Sequence, residues 1–154
     1  MTQDKQHAVL AEAQSWRLTP YHLTAAVKGR NGGVDCARFI YEVFHATGFI
    51  PELKFDYTSL RRFIHEENPL YLETVMKFAD EISEQEVGPG DVVMYRNPRL
   101  TVFTHASIVQ EYPRAVIHAI HQLGVVVTGA SEGFLSNWEK RFFRMRAMGR
   151  STSE

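Results

Sequence analysis

A single cysteine, Cys36, stands in the segment Gly33-Val34-Asp35-Cys36-Ala37-Arg38-Phe39-Ile40 of this 154-residue chain, and seven histidines are spread along its length. Cysteine and histidine together can carry acyl-transfer chemistry. The thiol attacks a carbonyl when a neighbouring imidazole takes its proton, and a third polar group orients that imidazole. A glycine-rich turn, Gly29-Arg30-Asn31-Gly32-Gly33, precedes Cys36, and an amphipathic pattern follows it. The thiol is therefore expected on the first turn of a helix. There the unpaired backbone N–H groups and the positive end of the dipole favour a thiolate and a lowered pKa. A lone cysteine so placed, with histidines downstream, is a candidate nucleophile. The plainer alternative is a small buried apolar residue.

The histidines separate by position. His7 lies in a polar leader, and His45 and His65 lie in helical segments; these three read as structural or surface residues. His105, His118 and His121 lie among strand signals. If Glu111-Tyr112-Pro113-Arg114 forms a four-residue hairpin loop, Gln110 pairs with Ala115 and His105 faces Ile120. His118 is then the diagonal neighbour of His105, and a register shift by two sets the pair directly opposite. Either register keeps His105 and His118 on one face and turns His121 to the other. The expected arrangement puts both imidazoles on the sheet face that receives the Cys36 helix. His105 is then the base, and His118 is either its orienting partner or a satisfied core histidine. Zinc binding by His105, His118 and His121 is disfavoured by that parity and by the lack of an HxH or HExxH pattern. No metal or cofactor is expected.

The elements that must hold these residues follow from periodicity. Residues 5–16 read as a helix with Val9, Leu10, Ala13 and Trp16 apolar, and Thr19-Pro20-Tyr21 reads as extended. A second helix runs from Asp35 to about Thr47, with Phe39, Ile40, Val43 and Phe44 on its buried side and Gly48 as its stop. Residues 51–86 read as a helical insertion. One helix starts at Asp56 or Thr58 and runs through Ile64, and another opens at Asn68-Pro69 and spans Leu70 to Ile82. After the Gly88-Pro89-Gly90-Asp91 turn, strands are expected at 92–95, 106–110, 115–120, 125–128 and 142–147. Helices first and strands afterwards imply an α+β domain over 1–154, with N-terminal helices (1–15 being helix and leader) packed on a mostly antiparallel sheet of about five strands.

Bulk properties exclude other classes. A formal net charge of −1 gives no reason to expect nucleic acid. The one basic concentration, Arg141, Arg144, Arg146 and Arg150, alternates with apolar residues and reads as a solvated strand face. One cysteine excludes an internal disulfide and a cysteine-rich zinc site. No stretch has the length of a membrane span or the form of a secretory leader, so synthesis in the cytoplasm without a signal peptide is expected.

In order along the chain, five segments resemble the NlpC-type bacterial cell-wall cysteine peptidases, and more narrowly the phage-tail-associated ones. Trp16-Arg17-Leu18-Thr19-Pro20-Tyr21-His22 is similar to that family's aromatic-x-Gly-Thr-Pro-Tyr motif. Lys28-Gly29 through Val34-Asp35-Cys36 is similar to its nucleophile motif, and Gly88-Pro89-Gly90-Asp91-Val92-Val93 to its Pro-Gly-Asp strand start. Thr104-His105-Ala106-Ser107-Ile108-Val109 resembles the base motif, and Val116-Ile117-His118-Ala119 the segment with the third polar residue. The resemblance implies a papain-like fold and a Cys36-His105-His118 triad. It also implies an endopeptidase cutting peptidoglycan stem peptides beside a γ-D-glutamyl residue, in a phage or phage-derived particle at the cell wall, with phage-tail proteins as partners. Tyr21 and Asp35 then line the substrate site. Asp35 is equally a helix cap, and Tyr21 equally a packed aromatic. Ala37, Arg38, Leu18 and Ser107 depart from the common pattern, and Arg38, replacing a glycine, is expected to reshape substrate binding. No wall-binding domain is expected beside these motifs, which fits delivery in a larger assembly. Two other readings stay open: a catalytically silent tail or assembly component with this fold, and a papain-like amidase or acyltransferase acting on another substrate.

Overall fold

Asp35 starts the central helix because its carboxylate accepts the backbone N–H of Arg38 at 2.8 Å while its own backbone stays extended. The structure, a computed structural model, describes residues 1–54 and 70–148. Helix α1 spans Gln3–Ser15 and α2 spans Cys36–Ala46. Thr2 caps α1 through Lys5 N–H at 3.2 Å. Val9, Ala13 and Trp16 pack against α2, and the Trp16 ring stands edge-on to Phe39 at 6.5 Å. Helix α2 ends in a paired C-terminal motif. Gly48 takes φ +85°, Phe49 N–H reaches Phe44 O at 2.8 Å and Gly48 N–H reaches His45 O at 3.2 Å.

The turn before Cys36 is a small hairpin, β1 (Ala26–Val27) with β2 (Gly33–Val34), and Tyr21 bridges to Val34 in parallel. The larger sheet has strands β3 (Ala79–Ile82), β4 (Val92–Arg96), β5 (His105–Glu111), β6 (Ala115–Ile120), β7 (Gly124–Thr128) and β8 (Glu139–Met145). Its order is β3-β8-β4-β5-β6-β7, with every neighbouring pair antiparallel. This is an α+β architecture with one more strand in its main sheet than the sequence suggests.

That extra strand comes from the segment expected to continue as helix to Ile82. Helix α3 (Leu70–Phe78) stops at Phe78, and Ala79–Ile82 pairs with Phe142–Met145. Helical spacing persists through Ala79, but Arg146 holds Asp80 at 2.9 Å and Arg141 holds Glu81 by two hydrogen bonds. Edge pairing therefore overrides the local pattern. The helix expected from Asp56 or Thr58 to Ile64, the Asn68-Pro69 start and Arg150 lie outside the described residues.

The sheet is covered on both faces. Val92, Met94, Ala106, Ile108, Ile117 and Ala119 pack with the helices. Val93, Tyr95, Val109, Val116 and Phe142 pack instead with Ala130 and Leu135 from the loop after β7. Alternation along each strand then assigns the histidines. His105 and Ser107 alternate with Ala106 and Ile108, and His118 alternates with Ile117 and Ala119. Both imidazoles stand on the face away from the body of α2, contrary to the expected face.

One close approach fixes the chain that leads to Tyr21. Gly124 has φ +80°, and a Cβ there would lie 2.4 Å from the carbonyl oxygen of Thr19. Val125 N–H donates to that same oxygen at 2.9 Å. Gly124→Ala should destabilise the fold by about 1–3 kcal/mol, the cost of a side chain held in the left-handed region. Urea unfolding checks this, and an unchanged midpoint would mean that the Thr19–Tyr21 segment is not held against β7.

Candidate active site

The first turn of α2 comes up to the start of β5, where the two imidazoles begin. Cys36 Sγ lies 3.6 Å from the carbonyl oxygen of Thr104, the residue immediately before His105. The first turn of α2 thus reaches the edge of the sheet although the helix body lies on the opposite face. The Tyr21 hydroxyl acts electrostatically on the thiol, pulling its pKa down. The parallel bridge from Tyr21 to Val34 is what holds that ring beside Cys36.

His105 Nε2 and His118 Nδ1 are 2.9 Å apart. The hairpin register explains the pairing. Ile108 faces Ile117 and Val109 faces Val116, and continuing that register sets His105 opposite Ile120 with His118 on the diagonal. A bulge at Gln110 makes Glu111, not Gln110, the partner of Ala115, so irregularity is confined to the loop end. With Nε2 engaged, Nδ1 is the nitrogen left for a base role. His118 is fully buried and its Nε2 lies 2.8 Å from Thr128 Oγ1. The Tyr95 ring (5.5 Å) and the Phe134 ring (5.8 Å) flank His105, and Phe134 is itself half exposed.

Burial sets the protonation states. Desolvation, with the His118 ring adding to it, pushes the His105 pKa down to about 3, and desolvation lowers His118 to about 4. The thiol moves the other way. Burial, then the neighbouring Asp35 carboxylate, push Cys36 up to about 12, against the pull of the Tyr21 hydroxyl and the N–H groups of Cys36 and Ala37. The lowered thiol pKa expected from the helix terminus is therefore reversed. The terminus acts as expected, but desolvation and an adjacent carboxylate exceed it. At neutral pH the resting site holds a neutral thiol and two neutral imidazoles.

The remaining expected site residues fall as follows. Asp35 is 4% exposed, and its second oxygen accepts Thr24 N–H at 2.8 Å, so it caps α2 and pins the preceding loop at once. Arg38 gives its backbone N–H to Asp35, while its guanidinium pairs with Glu42 at 2.8 Å and lies over the Tyr41 ring. His121 lies in the β6–β7 turn beyond the strand, so strand parity does not govern it. It meets the Tyr21 ring edge-on at 5.5 Å and belongs to the rim of the site. Tyr71 on α3 is buried within the electrostatic reach of Cys36, Asp35 and Tyr21. Its helical spacing marks it as core, and nothing in the sequence ties it to the thiol.

Solved structures share this arrangement of helices and strands. An NLP/P60-family protein of Staphylococcus aureus, similar to a lipoprotein, superposes over 97% of this chain with a TM-score of 0.62 and 18% identity. The NlpC/p60 domain of the peptidoglycan hydrolase SagA superposes over 88% of this chain and 96% of its own, with a TM-score of 0.58 and 19% identity. The fold is that of NlpC/p60 proteins. RipD of Mycobacterium tuberculosis, a non-catalytic NlpC/p60 domain protein adapted to binding peptidoglycan, superposes over 93% of this chain and 98% of its own, with a TM-score of 0.60 and 15% identity. The chain spans 43% of the length of the S. aureus protein. No family model and no curated protein matches the sequence. The NlpC/p60 fold thus includes a domain of a peptidoglycan hydrolase and at least one protein without catalysis.

A neutral resting thiol has a kinetic signature. The alkylation rate of Cys36 by iodoacetamide in the folded protein should rise about tenfold per pH unit from about pH 7 to 10, because the thiolate fraction grows tenfold per unit below the pKa. A plateau already reached below pH 7 would show a preformed thiolate and contradict this account.

Proposed function

We propose that the protein is a cysteine endopeptidase that hydrolyses amide bonds in peptidoglycan stem peptides. The reading is supported by two observations: Cys36 Sγ at the start of α2 lies 3.6 Å from the carbonyl oxygen of Thr104, the residue before His105, and the His105 and His118 imidazoles on β5 and β6 are 2.9 Å apart. In this reaction Cys36 Sγ attacks the scissile carbonyl carbon as His105 Nδ1 takes the thiol proton. The carbonyl oxygen becomes an oxyanion facing the Cys36 backbone N–H and the Tyr21 hydroxyl. Collapse breaks the C–N bond, and His105 returns the proton to the leaving amine. Water then attacks the thioester, with His105 again as base, and releases the acid and the thiol.

The high thiol pKa is compatible with this chemistry, because proton transfer occurs in the attack itself and not before it. The substrate class is supported by the fold shared with SagA and RipD, whose names tie them to peptidoglycan. A cut beside a γ-D-glutamyl residue and delivery in a phage or phage-derived particle rest on the motif resemblance. A second reading, binding without hydrolysis, draws support from the RipD likeness and from the raised thiol pKa.

Digestion of purified peptidoglycan followed by mass spectrometry of the released fragments separates the two. Hydrolysis predicts new amine and carboxylate termini within the stem peptide, lost by roughly a thousandfold or more in Cys36→Ala and His105→Ala. Binding to sacculi without released fragments, unchanged by Cys36→Ala, would sink the enzymatic reading.

A further inference from the structure

The hydroxyl of Thr128 has two contacts with different consequences. It lies 2.8 Å from His118 Nε2 and 3.0 Å from the carbonyl oxygen of Gly129. A carbonyl oxygen only accepts, so the single hydroxyl proton of Thr128 is committed to Gly129. The hydroxyl oxygen must then accept from His118, and Nε2 of His118 carries the proton. A neutral imidazole has one N–H, so His118 Nδ1 is an acceptor. The proton shared with His105 therefore belongs to His105 Nε2, which leaves His105 Nδ1 bare. We infer that Thr128 is a positioning residue that fixes the tautomers of both histidines through this directed chain, keeping the base nitrogen of His105 unprotonated.

The fold builds the chain deliberately. His118 faces Val126 and Val116 faces Thr128 across β6 and β7, so Thr128 is the diagonal neighbour of His118 on the same face. His118 stands in the same relation to His105 across β5 and β6. Two successive diagonals carry the chain from the end of β7 to the start of β5. Reversal would be costly to function. If Thr128 donated to His118 Nε2, His118 would donate from Nδ1, and the His105 proton would move to Nδ1. The base would then be blocked at rest. In the direction the structure favours, His105 can take a second proton at Nδ1 and still donate from Nε2, so no partner need turn during the reaction.

This inference rests on the role proposed for His105, but part of its test does not. Two-bond proton–nitrogen NMR on the full chain near neutral pH reads the tautomers directly. Both His105 and His118 should be Nε2–H in the wild type, whether or not the protein cleaves anything. Thr128→Val keeps the shape and removes the hydroxyl, and should shift His118 and His105 toward Nδ1–H. It should lower kcat about tenfold or more with little change in KM, as expected when a buried donor loses its acceptor. Thr128→Ser should restore both readouts. An Nδ1–H tautomer of His118 in the wild type overturns the inference, and so do wild-type tautomers in a folded Thr128→Val. If Thr128→Val fails to fold, the wild-type and Thr128→Ser spectra still decide. An inactive wild type with both rings Nε2–H refutes the enzymatic reading and leaves the tautomer chain standing.

Discussion

The site depends on one buried hydrogen bond, His105 Nε2 to His118 Nδ1 at 2.9 Å. Two imidazoles held this close in an apolar interior cannot both be charged at neutral pH, so burial keeps them neutral and makes hydrogen-bond direction matter. That single constraint determines much around it. The β5–β6 register must keep the two rings diagonal, and the loop after β7 must cover them. Leu135 and Ala130 complete the packing on that face, and Phe134 closes over His105. The described helices lie on the opposite face, and the first turn of α2 reaches from there to the start of β5.

Asp35 shows how structure and chemistry compete at one residue. Its carboxylate satisfies N–H groups of Arg38 and Thr24, and thereby fixes the start of α2 and the loop before it. The same negative charge opposes ionisation of the adjacent thiol. A helix start built on Asp-Cys cannot have the cap without the charge. In the proposed mechanism the consequence is a nucleophile that is quiet at rest and depends on His105 for activation. The Tyr21 hydroxyl offsets part of this by favouring the thiolate, and its position depends in turn on Val34 and on the close approach of Gly124 to Thr19.

Much of this was legible in local chemistry. The Asp35 cap, the Gly48 stop and the strand series after Gly90 are short-range signals, and all appear close to where periodicity puts them. The diagonal relation of His105 and His118 matches the expected parity, although the loop is one residue shorter than expected and a bulge at Gln110 restores the register. What local pattern could not provide was the third dimension. Parity says that two residues share a face but not which layer covers it, and the helices took the other one. Ala79–Ile82 kept a helical pattern yet paired at the sheet edge, because its partners Arg141 and Arg146 lie some sixty residues away. The upward direction of the thiol pKa is hidden for the same reason: a helix terminus is visible in sequence, whereas desolvation of the thiol is not. Thr128 carries no motif, and only the β6–β7 register reveals it.

The central claim is covalent catalysis by Cys36 with His105 as its base, and trapping the intermediate tests it most directly. Rapid acid quenching of the protein with a synthetic stem peptide, followed by intact-mass measurement, should show a transient species heavier by the acyl fragment. Peptide mapping should place it on Cys36 as a hydroxylamine-sensitive thioester, and His105→Ala should abolish its formation. Peptide turnover with no adduct on Cys36 at any quench time, and undiminished in Cys36→Ala, would contradict the account.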